Sequence, residues 1–287
     1  MPSPSRPITA DHVREFERDG ITCVRGALTP AQVEQLRGDI DASLADEKQI
    51  VIDYASDRKF VNGINFWTRN EGIRGLLCES QLPSLAAALL RSRKVNLFYD
   101  QLFIKEPGTS NFPTPWHNDQ PYWIVEGRQV VSFWLALDPV TKASGAVEFI
   151  RGSHRWDRWF QPRSFAGENK YEHNESFEPM PDIDAERAKY DIVHYELAPG
   201  DMTVHHGMTV HGAGGNTTNA TRRRGYSVRY TGDDVVYIPR KSFPFGGQHV
   251  LVPGKPMDSE SFPVVYREAE APARAAADTG RPAGAPV

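Results

Sequence analysis

In the stretch PWHNDQPYW, residues 115–123, His117 and Asp119 stand two positions apart among three large aromatics, Trp116, Tyr122 and Trp123. Residues i and i+2 of a strand share a face. An imidazole and a carboxylate so placed project together and suit two ligands on one metal ion. A third donor must come from a distant segment, and DMTVHHGMTVHGAGGN, residues 201–216, offers His205, His206 and His211. His211 is the choice for two reasons. Gly212, Gly214 and Gly215 follow it and leave room for backbone or ligand, and an arginine run begins eleven positions on, at Arg222. Two imidazoles and one carboxylate with positions left open form the facial triad of non-haem Fe(II) oxygenases. Zinc hydrolases also mix histidine and carboxylate ligands, so the metal stays open at this point. His205 and His206 read as core or supporting groups. Trp116, Tyr122 and Trp123, with Trp67 as a further candidate, read either as a dry wall around the substrate or as packing at a barrel edge.

Short strands must carry these groups. VNLFYDQLFIKE, QVVSFWLALDPV, GAVEFIRGSH, YELAPGDMTVHH and RGYSVRYTGDD are apolar or alternating runs bounded by Gly, Pro, Asn and Asp, a pattern of sandwiches and barrels. The first third is helical. Thr9 caps a helix with Val13 and Phe16, stopped by Gly20. Thr29, Pro30 and Gln32 form a second start signal, followed by the stripe Val33, Leu36, Ile40 and Leu44. A third helix fits Leu82 to Arg91. Residues 156–193 read as a long excursion between strands, part of a lid.

The domain organisation expected is a flexible start over 1–8, one domain over 9–270 with a helical part to 94 and a β core from 95, and a disordered Ala/Pro/Gly-rich tail over 271–287. Of the 287 residues, 24% are charged and 39% hydrophobic, enough for a sizeable core. The net charge of −4 gives no footprint for nucleic acid or an anionic membrane. Cys23 and Cys78 lack metal-type spacing. No apolar run approaches the roughly 20 residues of a membrane span, and the N-terminal stretch has no apolar core. These features lead to the expectation of a cytoplasmic monomer or homodimer acting on a small molecule.

The segments WHND (116–119), SFWLALDPVTKASGAVEFIRGSHRW (132–156), LAPGDMTVHHGMTVHGAGGN (197–216) and RRRGYSVRY (222–230) together resemble the phytanoyl-CoA dioxygenase family of Fe(II)/2-oxoglutarate-dependent oxygenases. The resemblance implies a double-stranded β-helix, or jelly roll, mainly β with flanking helices and with the metal at its open mouth. It implies Fe(II), 2-oxoglutarate and O2 as reactants, and oxidation of a substrate C–H bond with release of succinate and CO2. Residue by residue, His117, Asp119 and His211 match the iron ligands. Arg222 matches the arginine that holds the distal carboxylate of 2-oxoglutarate, with Arg223 and Arg224 as rivals by adjacency. Trp134 matches a tryptophan of the cosubstrate pocket, and Gln101 and Thr114 occupy places of polar contacts to 2-oxoglutarate. Asn118 stands where the fatty-acyl enzymes carry glutamine, and Ala213 where many members carry serine. Asp119 argues against halogenation, since related halogenases leave that ligand out. Two other readings remain: a jelly-roll hydrolase or isomerase using zinc or another divalent ion, which needs no carboxylate clamp, and a non-catalytic binding barrel. Outside the arginine run the basic residues are scattered, which points to a compact, partly apolar metabolite rather than a coenzyme A thioester.

Overall fold

The computed structural model describes residues 8–53, 59–165, 171–240 and 251–269. Among the described residues, four α-helices lie in the first third: α1 (Ala10–Asp19), α2 (Pro30–Leu44), α3 (Glu71–Glu79) and α4 (Leu82–Leu90). The strands are β1 (Ile21–Val24), β2 (Val51–Asp53), β3 (Phe60–Ile64), β4 (Lys94–Lys105), β5 (Thr114–His117), β6 (Val125–Glu126), β7 (Val130–Ala136), β8 (Val147–Ile150), β9 (Ile192–His194), β10 (Met202–His206), β11 (His211–Ala213), β12 (Arg223–Thr231), β13 (Val236–Tyr237) and β14 (Val264–Arg267).

The helix starts follow the local chemistry. Thr9 and Thr29 each close a capping box, with His12 and Gln32 answering from the third helical position. Gly20 ends α1 at φ 74°, a left-handed conformation natural to glycine. Val33, Leu36 and Ile40 point from α2 into the core.

A large antiparallel sheet runs β1-β10-β7-β12-β4-β3-β2, with β14 also paired to β4. A smaller sheet runs β5-β11-β8-β9. This is the jelly-roll architecture expected, although among the described residues the two sheets do not join into one closed hydrogen-bonded barrel. Strand alternation divides the large sheet. Leu97, Leu102, Phe133, Leu135, Val204, Tyr226, Val228 and Tyr230 face the helices and form the main core with Phe16, Leu36, Ile40, Ile73 and Leu77. The opposite positions, among them Gln101, Trp134, His205 and Ser227, line a cavity shared with His117 and His211 of the smaller sheet.

The described residues of the excursion over 156–193 are irregular up to a short helical turn at Arg187–Lys189 and the opening of β9. Phe160 and Ile183 anchor it on Ile150 and Val210. The expected flexible start and C-terminal tail lie outside the described residues, except for Ile8, which packs on the main core.

Candidate active site

His117 closes β5 and stands directly opposite His211 of β11 in the ladder. The two imidazoles are thus cross-strand neighbours, their ring centroids 4.2 Å apart. Asp119 is not on the strand. Its backbone has turned helical (φ −71°, ψ −43°) at the entry to the short turn Gln120–Tyr122. The carboxylate therefore reaches the histidines because the chain bends after His117, and not through the strand alternation expected from H-x-D.

Hydrogen bonds orient each donor atom. The Nδ1 atoms of His117 and His211 lie 2.7 and 2.9 Å from the carbonyls of Pro115 and Thr209. Each ring donates there and turns its Nε2 lone pair inward, the usual support of a ligating imidazole. Asp119 Oδ2 accepts from Ser132 Oγ at 2.9 Å and faces His205 Nε2 at 3.2 Å. That leaves Oδ1, which lies 3.6 Å from His117 Nε2 and 3.9 Å from His211 Nε2. One ligand atom from each of the three residues falls within 4.8 Å of the others. Burial, reinforced by the neighbouring His117 and His205, holds His211 well below the usual histidine range and so keeps it neutral. Burial would raise the Asp119 carboxyl, but the hydrogen bond from His205 and the nearby Arg229 charge act against it, and the group is held well below the usual carboxylate range. Two imidazoles and a carboxylate are the donor set a divalent iron takes. His205 is thus a positioning residue for Asp119, whereas burial takes His206 down to about 4 and its ring faces the Arg128 carbonyl, away from the cluster.

The cosubstrate side departs from expectation at one residue. Arg222 precedes β12; its side chain is 50% exposed and ion-paired with Glu106 at 2.6 Å. Arg224 points to the helical side and grips Asp138 through two nitrogens. Arg223, at 2% exposure, lines the cavity. The inward positions of β12 are Arg223, Gly225, Ser227 and Arg229, because Tyr226, Val228 and Tyr230 are claimed by the core. Reading that apolar alternation backwards from Tyr230 selects Arg223. The count of eleven from His211 selects Arg222, because the loop between β11 and β12 sets no register.

Trp134, Gln101 and Thr114 all line the cavity with Arg223. The Arg223 guanidinium lies 5.5 Å from the Trp134 ring centre and donates to the Gly145 carbonyl at 3.0 Å. Burial lowers it to about 10, so it remains a cation at neutral pH. Lys105, paired with Arg223 across the ladder, is buried beside it and donates to Thr114 Oγ1 at 3.2 Å and to the Gly214 carbonyl. Its ammonium is pushed well below the usual lysine range by burial and by the Arg223 charge.

Gly225 makes this packing possible, since a Cβ there would overlap the Trp134 indole. Gly225→Ala is expected to displace Trp134, lower stability by about 1–3 kcal/mol and weaken 2-oxoglutarate binding. Thermal melts and calorimetry check both effects, and unchanged values in both would refute the packing role.

Of the expected aromatic walls, Tyr122 and Trp123 line the cavity. Trp116 turns away: it packs against the cluster that holds the excursion, and its indole donates to Asp184 at 3.0 Å. Trp67 belongs to the main core. Tyr99, Phe165 and Tyr171 complete the wall. Phe165 and Tyr171 come from the excursion, where no sequence motif marked them, and Phe165 lies 4.9 Å from the His117 ring.

The family described as phytanoyl-CoA dioxygenase (PhyH) matches residues 16–225. The multifunctional dioxygenase prhA of Penicillium brasilianum is 25% identical over 237 residues, covering 74% of this chain and 69% of its own length. The non-heme alpha ketoglutarate dependent carbocyclase SnoK from nogalamycin biosynthesis superposes with a TM-score of 0.72 at 21% identity, over 92% of this chain and 99% of SnoK. The epimerase SnoN, in complex with Fe3+, alpha ketoglutarate and nogalamycin RO, gives a TM-score of 0.70 at 23% identity, over 89% and 97% of the two chains. No helix among the described residues is long and apolar enough to cross a membrane. A family match over that length places the chain in the phytanoyl-CoA dioxygenase family of Fe(II)- and 2-oxoglutarate-dependent oxygenases.

Proposed function

We propose that the protein oxidises a C–H bond of a compact, partly apolar metabolite, with iron on His117, Asp119 and His211 and with Arg223, in place of Arg222, holding 2-oxoglutarate. The observation that carries the cosubstrate assignment is a buried guanidinium on the wall of the cavity that contains the three ligands. Among the described residues Arg223 meets carbonyl oxygens and a tryptophan face but no ion-pair partner. A buried cation without an anion is costly, and a guanidinium fork accepts a carboxylate through two parallel hydrogen bonds.

Bound Fe(II) would supply the oxidative chemistry, with O2 as the four-electron oxidant shared between decarboxylation of 2-oxoglutarate to succinate and CO2 and two-electron oxidation of the substrate C–H bond. The chain does the rest. His117 and His211, fixed by the Pro115 and Thr209 carbonyls, hold the metal in one orientation. Ser132 and His205 occupy Asp119 Oδ2 and leave Oδ1 for the ion. Trp134, Gln101 and Thr114 border the path between metal and Arg223. Tyr122, Trp123, Phe165 and Tyr171 exclude water on the other side. This apolar wall favours a metabolite over a coenzyme A thioester, and SnoN, solved with nogalamycin RO, points the same way. All these groups come from one chain, which suits a monomer or a homodimer alike.

Anaerobic titration tests the reading. Fe(II) followed by 2-oxoglutarate should produce a weak visible charge-transfer band. Tight Fe(II) binding without that band would favour the hydrolase or isomerase alternative.

A further inference from the structure

A second buried arginine on the cavity wall is not used by the chemistry above. Arg229 is 4% exposed and continues the inward face of β12 beyond Ser227. Its guanidinium lies 4.5 Å from the Tyr99 ring centre and 5.9 Å from that of Trp123. These two rings are locked together by the Trp123 indole, which donates to Tyr99 Oη at 2.8 Å. The ladder with β4 shifts register next to Arg229, so that Phe98 is an extra residue between Leu97 and Tyr99. Such bulges re-aim side chains and recur beside active sites. Here the bulge brings Tyr99 under the guanidinium while Phe98 packs on Trp123, 5.5 Å away. Arg229 Nε and Nη1 are buried with no hydrogen-bond partner, and no described carboxylate lies within ion-pair distance.

Two buried carboxylates bear on the charge of Arg229: Asp119 in the cavity, and Asp100 on the helix-facing side of β4, where Tyr226 Oη and the Trp67 amide hold it. Arg229 stands opposite Ser132 in the ladder with β7, and Ser132 holds Asp119. In the loaded enzyme that carboxylate is already committed to a divalent ion. The divalent iron, the Asp119 carboxylate, a 2-oxoglutarate dianion and the Arg223 guanidinium cancel. Arg229, a guanidinium cation, is then left without an opposing charge on the cavity side, since Asp100 lies across the sheet and is held by Tyr226 and Trp67. Aromatic faces offset part of the cost of burying it but satisfy none of its N–H groups, and an oxyanion satisfies both needs.

We propose that Arg229 is the substrate-anchoring residue of this enzyme, and that its substrate is a small carboxylic acid whose carboxylate docks on Arg229 while its apolar body lies against the wall formed by Tyr122, Trp123, Phe165 and Tyr171. This rests on the oxygenase reading and deepens it. The cavity would then recognise two carboxylates on one strand, that of the cosubstrate at Arg223 and that of the substrate at Arg229, with the metal centre between them in the same cavity.

The test uses the full chain loaded with Fe(II) and 2-oxoglutarate without oxygen. Calorimetry measures binding of benzoate, phenylacetate and cyclohexanecarboxylate beside their neutral amides. At least one acid should bind at least about tenfold more tightly than its amide, as expected for a desolvated charge pair. Arg229→Gln should erase that preference, Arg229→Lys should keep part of it, and both variants should form the charge-transfer band of the iron chelate at wild-type 2-oxoglutarate concentrations, whereas Arg223→Gln should need at least about tenfold more. The proposal is overturned if every amide matches its acid in the wild-type chain, if the preference survives in Arg229→Gln, or if folded Arg229→Gln loses the chelate band and so marks Arg229 as a cosubstrate residue. If Arg229→Gln does not fold, the comparison of acid with amide in the wild type and in Arg229→Lys decides. A wild-type chain that forms no chelate band at all refutes the oxygenase reading itself.

Discussion

Asp119→Ala is expected to abolish most iron-dependent turnover while the chain stays folded. Altering a group that merely supports a metal ligand typically costs 10–100-fold in affinity or activity. Removing the carboxylate ligand itself should exceed this and lower 2-oxoglutarate-dependent succinate release by at least about a hundredfold. The variant leaves the Ser132 hydroxyl and the His205 imidazole without the acceptor they share. Unpaired buried groups of this kind cost about 1–3 kcal/mol. The same change removes a buried negative charge and leaves the helix-facing core untouched, so a modest fall in melting temperature is expected rather than unfolding. Iron content after gel filtration, circular dichroism and succinate release separate the two effects. Wild-type turnover in a folded Asp119→Ala chain would remove Asp119 from the metal centre.

The second large effect falls on neighbouring arginines, with opposite outcomes. Arg223→Gln should weaken 2-oxoglutarate binding by at least about tenfold, because truncating one partner of a buried, hydrogen-bonded charge pair costs about 2–5 kcal/mol. Fe(II) binding should change little, since Arg223 touches none of the three ligands. Arg222→Ala removes only a half-exposed ion pair with Glu106. Such pairs contribute about 0–1 kcal/mol, so cosubstrate affinity should stay within about twofold. Calorimetric titration of 2-oxoglutarate into each variant decides between them. A large loss in Arg222→Ala with none in Arg223→Gln would restore the assignment taken from the spacing after His211. Lys105 does not make Arg223 redundant, because its ammonium is already held by the Thr114 hydroxyl and the Gly214 carbonyl.

What the sequence determined by itself is what short-range chemistry and residue type encode. Thr9, Thr29 and Gly20 announced the ends of helices, since a cap is a contact between residues three or four apart. The apolar or alternating runs of β7, β10 and β12, bounded by turn residues, announced short strands. The types His, Asp and His, with glycines behind the last, announced a metal centre, because few other uses bring those donors together. Tertiary structure alone decided which atoms meet. Asp119 reaches the histidines through a turn that H-x-D does not specify, and His117 faces His211 only because β5 pairs with β11. Arg223 displaced Arg222 on the cavity side because the burial of Tyr226, Val228 and Tyr230 fixes the phase of β12, and a one-residue slip in a strand reverses every side chain. Trp116 turned outward while Phe165 and Tyr171, from a stretch without periodicity, came in over the metal site. Arg229 looked like one more scattered basic residue until the fold stacked it on Tyr99 and left its nitrogens unpaired inside the cavity. Burial and pairing belong to the packed sheets, and no local stretch of sequence contains them.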